Sequence, residues 1–377
     1  MAAKTNIQIF ILIITIQLFY YPSSSLAANP TYNVQSFGAK SGGSSDCTKA
    51  FLSAWGAACA ATSPATIYVP PGRYLLRNAY FGGKLCKNSA ITIRIDGTLG
   101  RRSSIFGGTL DAQGTKLWAC KNSGKSCPKG ATSLAFYNSE NIEINGLASL
   151  NSQKFHILVD GCKSVKMINM KISAPANSPN TDGIHIQQSS EVTVMNTHIG
   201  TGDDCISVGP GSSNLWIENL ACGPGHGISI GSLGWDLEEA GVQNVTVKTV
   251  TFTGTENGVR VKTWARPSNG FVKNVLFQHL VVVNVENPII IDQNYCPDHQ
   301  NCPTQGSGVK ISDVAYEDIH GTSATQVAVK FDCSKKNPCS GITLDGVNLS
   351  YRDKAATASC ANAAGSAAGV VRPTSCL

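Results

Sequence analysis

The chain has 377 residues, with 30 Lys and Arg against 24 Asp and Glu, a net charge of +6, and 37 glycines. Ordinary hydrophobic content argues against disorder, and sparse charge argues against a nucleic-acid binder coated in Lys and Arg. The length exceeds one small core and suits a single elongated repeat domain, and a mild positive balance is compatible with either an anionic substrate or simple solubility.

Lys4 precedes an apolar run from Ile7 to Tyr21, followed by Pro22 and Ser25-Leu26-Ala27. This predicts a secretory signal over 1–27, cleaved after Ala27, and a single domain over 28–377. The run of about 15 residues is shorter than the roughly 20 needed to span a bilayer, so no membrane association is expected after cleavage. Fourteen cysteines fit an oxidising, extracellular compartment. Asn244-Val245-Thr246 and Asn348-Leu349-Ser350 are glycosylation acceptors in a secreted chain.

Tyr32–Ala39 reads as a short strand. Asp46 is placed to cap a helix from about Cys47 to Ala60, with Phe51, Leu52, Trp55, Ala58 and Cys59 at helical spacing. A solenoid exposes a hydrophobic end, and this helix is expected to cover it. Cys47 and Cys59 are too far apart along a continuous helix to pair.

From Thr66 the pattern turns to strands. Thr66–Val69, Ile91–Ile95 and Ile105–Leu110 are separated by Gly, Pro, Asp and Asn, and Cys120 and Cys127 bracket a loop they would close. Short apolar lines then recur about every 23 to 34 residues: Asn141–Ile144, Val165–Ile168, Val192–Val194, Leu215–Ile217, Val245–Val247, Val275–Phe277, Val309–Ile311 and Ile342–Leu344. No long helical period separates them. The spacing predicts an all-β, right-handed parallel β-helix with an N-terminal capping helix, over a βα barrel or a sandwich. The Ala- and Ser-rich tail from Ala355 is expected to wrap the last coil, pinned by Cys360 and Cys376.

Four segments are variants of one line: Thr181–Ile186, Asp203–Val208, Gly225–Ile230 and Asn257–Lys262. Aligned on their Ile/Val pairs, Asp182, Asp204, His226 and Asn257 fall in one column. His185, Ser207, Ser229 and Arg260 fall in another. The steps of about 22, 22 and 31 residues are coil lengths. Stacked coils lie roughly 4.8 Å apart, so each column is a ladder.

Crowded carboxylates cannot all ionise easily, so one of Asp182, Asp203 and Asp204 should hold a proton. A protonated acid facing an ionised base suffices to cleave a glycosidic bond. Arg260 and Lys262 leave one strand face, opposite Val259 and Val261, and suit a substrate bearing carboxylates. Taken singly, each feature has a bland reading: a solvated turn or calcium ligand for the Asp pair, a loop residue for His226, a solvated face for the cations. The shared register favours a catalytic cleft. Strict alternation would send Asp203 and Asp204 to opposite faces, so a bend near Gly202 is required.

Asn180-Thr181-Asp182, Gly202-Asp203-Asp204, Gly225-His226-Gly227 and Arg260-Val261-Lys262, in this order, resemble the four signature motifs of the family 28 glycoside hydrolases, the polygalacturonases. The resemblance covers nearly all of the mature chain. It implies hydrolysis of α-1,4-linked galacturonan in pectin with inversion, without a metal or other cofactor, which for a secreted chain means action in the plant cell wall; a monomer is the default expectation. Asp203 resembles the general acid, and Asp182 and Asp204 the pair that activates water. His226 resembles the residue supporting the acid's protonation. Arg260, Lys262 and Tyr295 resemble substrate binders, and Asn180 and His185 join them at the cleft. Thr201 and Val261 stand where Ser and Ile are more frequent, and both changes are conservative.

The Gly223–Gly234 and Arg260–Trp264 segments are most similar to plant pollen exopolygalacturonases, a group with allergens among its members. His185 stands where many endo-acting members carry an acid. Both features imply exo action releasing galacturonate, with endo action as the alternative. Cys205 and Cys222 match a family disulfide that would stiffen the Asp203–Asp204 rung. Further expected pairs are Cys333–Cys339, Cys360–Cys376, Cys296–Cys302 and Cys120–Cys127, leaving Cys47, Cys59, Cys86 and Cys162 unassigned. The competing readings are a calcium-dependent lyase of the same fold and a pectin-binding protein without activity.

Overall fold

The structure is a computed structural model that describes residues 29–76, 81, 86–87, 91–96, 103–297, 300–352 and 354–377. The expected signal over 1–27 lies outside the described residues.

Among the described residues, twelve parallel strands form one sheet, running from Thr31–Asn33 at one end to Thr357–Ala361 at the other. A second sheet runs beside it, from Ser103–Phe106 to Cys339–Tyr351. Strands that pair in either sheet come from successive circuits of the chain. That arrangement is the parallel β-helix the repeat spacing predicts. The inward column Val159, Ile186, Val208, Ile230, Val261 and Ile291 is in continuous register and almost fully buried. Burying each such side chain contributes about 1.5–3 kcal/mol.

Polar residues turn the corners. Ser164, Glu191, Asn214, Asn244, Asn274 and Asp313 all adopt left-handed backbone with φ between +54° and +57°. Each directly precedes an inward residue, and those residues (Val165, Val192, Leu215, Val245, Val275 and Val314) pair in sequence. Asn and Asp tolerate this conformation best among residues with a side chain. Asn244 Nδ2 donates to Asn214 Oδ1 at 3.0 Å and Asn274 Nδ2 to Asn244 Oδ1 at 3.3 Å. One coil departs from the expected alignment. The partner of Val275 is Val314, whereas Ile311 pairs with Val272. Apolar alternation continues on both sides of Asp313, so two registers look alike in sequence.

The helix α1 (Thr48–Ala60) packs on the first strands of the coil, burying Ala50, Phe51, Ala54 and Ala58. Leu52, expected on that face, is exposed. The N-cap residue is Cys47, without a side-chain cap bond, and Asp46, one residue further out, accepts from Thr48 N through Oδ1 at 2.9 Å. A second helix, α2 (Thr115–Asn122), follows the first coils and carries Cys120, which is bonded to Cys127. The other disulfides join Cys205–Cys222, Cys296–Cys302, Cys333–Cys339 and Cys360–Cys376, and Cys59 pairs with Cys86. Cys47 and Cys162 are buried free thiols. The tail does more than wrap the last coil: Thr357–Ala361 and Ala363–Ala368 add a strand to each sheet.

Candidate active site

The site spans the rungs Ile184–Gln187, Ile206–Val208, Ile228–Leu233 and Asn257–Trp264. Ile184 pairs with Ile206, Ile206 with Ile228, and Ile228 with Val259. The outward column His185, Ser207, Ser229 and Arg260 is therefore real. The column three residues earlier carries Asp182, Asp204 and His226 in the turns that precede their rungs, and Asn257 at the start of its strand.

The required bend lies at Gly202–Asp203, and the strand resumes only at Ile206. The polypeptide crowds this bend. A Cβ on Gly202 would sit 2.2 Å from the Ser178 carbonyl oxygen. Gly202 N donates to Thr181 Oγ1 at 3.1 Å and Asp204 N to Asp203 Oδ1 at 2.8 Å, so the two carboxylates emerge side by side. Gly227, after His226, is equally constrained: φ is +85°, and a Cβ would lie 2.1 Å from Asn257 O. Immediately after Asp204, the Cys205–Cys222 disulfide ties the rung to the second sheet.

Asp204 is the electrostatic centre, with its side chain only 1% exposed. Its Oδ1 accepts from Arg260 Nη2 at 2.9 Å and Ser229 Oγ at 2.7 Å, and its Oδ2 from Lys262 Nζ at 2.8 Å. Burial alone would raise its pKa. Lys262, Arg260 and these hydrogen bonds outweigh that and hold it below the usual carboxylate range. Asp182 goes the other way. Burial, then the negative charges of Asp203 and Asp204, raise it well above an ordinary carboxylate, against the Ser207 hydroxyl donated to Oδ2 at 2.6 Å. The crowded trio thus holds its proton readily on Asp182. Coupled groups share such protons, so this describes the free site as a whole.

His226 bridges two acids, with Nδ1 3.2 Å from Asp203 Oδ1 and Nε2 3.4 Å from Glu256 Oε2. Burial opposes its charge, but the bond to Asp203 and the charges of Asp203, Glu256 and Asp204 raise its pKa.

Asn180, Asp203, His226, Arg260, Lys262 and Tyr295 line one cleft of about 910 Å³. Lys262 Nζ and the Arg260 guanidinium lie 5.3 and 5.9 Å from the Tyr295 ring centre. Asp182 and Asp204 lie buried behind this surface.

The description "Glycosyl hydrolases family 28" matches residues 77–371. The chain belongs to that family. It is 59% identical to a polygalacturonase of Prunus persica over 96% of this chain and 97% of that protein. It is 41% identical to an exopolygalacturonase of Platanus acerifolia over 89% of this chain and 95% of that protein. Two solved structures, each 23% identical, share the fold. Endo-xylogalacturonan hydrolase from Aspergillus tubingensis aligns with a TM-score of 0.62 over 90% of this chain and 99% of its own. Endopolygalacturonase I from Stereum purpureum, complexed with two galacturonates, gives 0.59 over 82% and 96%. The expected family and its right-handed parallel β-helix are thereby borne out.

In this family 28 hydrolase the two cations of the cleft wall have a second partner, and one histidine departs from its expected place. Arg260 and Lys262, expected on the cleft wall as binders of substrate carboxylates, do line the cleft, and each also bonds Asp204. Their side chains are only 9% exposed and neutralise Asp204, because a buried carboxylate needs that compensation. His185 was expected at the substrate and is absent from the residues lining the cleft. Both its ring nitrogens are engaged within the protein, and its ring stacks on Phe155 at 4.7 Å.

Sequence reasoning missed Glu256, which meets His226 and lies 3.7 Å from Arg260 Nη1. It sits one residue before the Asn257 column and leaves no periodic signal. Lys121 was also missed: from α2, remote in sequence, its Nζ reaches Asn180 Oδ1 at 3.4 Å.

Asp203, Asp204 and His226 offer three donor atoms within 4.8 Å of one another. They fit a cation poorly, since Arg260 and Lys262 already occupy both oxygens of Asp204.

Proposed function

We propose that this chain is a polygalacturonase that hydrolyses α-1,4-linked galacturonan with inversion, acting from a chain end to release galacturonate. The observation that carries this reading is the convergence on consecutive rungs of Asp203, His226 and the Arg260–Lys262 pair lining one cleft, with Asp182 and Asp204 buried directly behind it. Asp203 is the general acid: its carboxyl lines the cleft, and His226 Nδ1 lies 3.2 Å from its Oδ1. Asp182 and Asp204 activate the water that attacks the anomeric carbon from the opposite face. The oxocarbenium-like transition state is positive, and carboxylate charge at the site favours it. Lys262, Arg260 and Tyr295 form a cationic floor for the uronate carboxylate, and Asn180 orients a sugar hydroxyl. The disulfide at Cys205–Cys222 limits motion of the acid-bearing rung.

Exo action is supported by similarity to plant exopolygalacturonases and by α2. That helix, stapled by Cys120–Cys127, brings Lys121 onto Asn180 at one end of the cleft, as a wall closing that end would. Endo action is the alternative. The protein acts outside the cell on wall pectin as a monomer, after losing residues 1–27 and leaving 28–377 as one catalytic domain, with glycans at Asn244 and Asn348. No helix among the described residues is long and apolar enough to cross a membrane.

Early products from de-esterified polygalacturonate, resolved by ion-exchange chromatography with a chelator present, test the reading. Galacturonate alone is expected. A ladder of oligomers would replace exo with endo action, and unsaturated products that vanish with chelator would replace the hydrolase with a lyase.

A further inference from the structure

Across neighbouring rungs of the first sheet, five side chains join end to end. Gln187 Nε2 donates to Asp160 Oδ2 at 2.9 Å. That contact fixes the amide so that its carbonyl oxygen Oε1 faces His185 Nε2 at 3.1 Å. A carbonyl oxygen only accepts, so Nε2 must carry a hydrogen. The other ring nitrogen, Nδ1, lies 2.7 Å from Ser207 Oγ, and Ser207 Oγ lies 2.6 Å from Asp182 Oδ2. The hydroxyl has one hydrogen and two neighbours that each compete for it.

Only two proton arrangements satisfy all these bonds. In the first, Asp182 is a neutral acid donating to Ser207 Oγ, and the Ser207 hydroxyl donates to Nδ1 of a neutral His185. In the second, His185 is an imidazolium donating from Nδ1 to Ser207 Oγ, and the hydroxyl donates to the Asp182 carboxylate. We propose that Asp182, Ser207 and His185 form a two-position proton relay, with His185 a positioning residue that takes up and returns the proton of Asp182 through the Ser207 hydroxyl.

The exchange balances. The Asp182 Oδ2–H bond breaks as that proton binds Ser207 Oγ, and the original Ser207 proton leaves for His185 Nδ1. A neutral pair becomes a carboxylate and an imidazolium, with no other reactant. The purpose follows from the proposed hydrolysis, on which this inference rests. A group that draws a proton from attacking water must be ionised, yet burial favours a neutral Asp182. The relay lets Asp182 ionise without expelling its proton to solvent.

The surroundings of His185 support the neutral resting arrangement. Phe155 stacks on the ring at 4.7 Å with an interplanar angle of 19°, and Lys154 Nζ lies over the far ring at 4.8 Å. Burial lowers the His185 pKa, and the Lys262 charge lowers it further. The Gln187 bond and the charges of Asp204 and Asp160 act in the opposite sense, without reversing the shift. Burial raises Asp182. Both directions place the proton on Asp182 at rest.

The test is nitrogen-15 NMR of the histidine rings in the full chain, paired with kinetics of His185→Gln. Glutamine can bond Ser207 but cannot store a proton. The expected resting spectrum shows His185 neutral, with hydrogen on Nε2 and none on Nδ1. The expected variant loses kcat at least about tenfold with KM within about twofold, and its kcat–pH profile shifts. A neutral His185 protonated on Nδ1 would overturn the relay without any need for a folded variant. Retention of kcat and of the pH profile in His185→Gln would also overturn it, by reducing His185 to packing. The spectrum needs no substrate, so failure of the polygalacturonase reading would show separately, as wild-type protein that releases no galacturonate.

Discussion

Replacing Lys262 by Met isolates the charge network that organises the site. Methionine keeps an unbranched stem of similar length and deletes only the ammonium. Asp204 Oδ2 then loses its 2.8 Å partner, while Oδ1 keeps Arg260 and Ser229. Removing one partner from a buried ion pair costs about 3–5 kcal/mol, and the surviving partners point to the low end, about 3 kcal/mol. Unfolding entropy for a chain of this length is about 0.7 kcal/mol/K, so the melting temperature should fall by about 4 °C. The pH dependence is the sharper test. In the parent, Asp204 is depressed to about 2, so its stabilisation is present above the ordinary carboxylate range and is lost as pH falls through the folded value. In the variant the folded pKa rises, and protonation relieves the stranded charge sooner. The stability difference, read by urea unfolding, should be largest near pH 7 and shrink as pH falls from about 5 to about 3. A difference below about 1 kcal/mol at pH 7, or one unchanged at pH 3, would refute the reasoning.

Gly202→Ala should fail to yield active folded enzyme, because its Cβ meets Ser178 O at 2.2 Å; normal expression and activity would show that the bend can relax. Asp182→Asn should gain stability over the parent as pH rises above about 4. The parent's raised Asp182 contributes stability at low pH that is lost as pH climbs through its folded value, whereas asparagine does not titrate. Parallel stability curves for the two proteins would contradict that shift.

Much of the fold was legible because a solenoid repeats its physics. Buried Ile and Val alternate, a left-handed polar residue, most often Asn or Asp, turns the corner, and four lines share a register that the pairing of Ile184, Ile206, Ile228 and Val259 reproduces. The coil at Asp313 was misaligned because its apolar alternation supports two registers. Cys59–Cys86 was not assigned, since it joins the capping helix to a segment with no repeat to align it. At the site, the ladder gave the positions of Asp182, Asp204, His226 and Arg260. It did not give their partners. That Lys262 bonds Asp204, that His185 bonds Ser207 on the next rung, and that Glu256 and Lys121 reach the site all depend on side-chain direction and loops. Column position alone does not encode those.

The central claim is that a carboxylate ladder with Asp203 as its acid hydrolyses a uronate chain. The most direct measurement is turnover of de-esterified polygalacturonate by Asp203→Asn, with chelator present and the folded state checked by circular dichroism. The account predicts a fall in kcat of about 10²–10⁴-fold with a native spectrum. Turnover within about tenfold of the parent would contradict it, because general acid catalysis would then lie elsewhere.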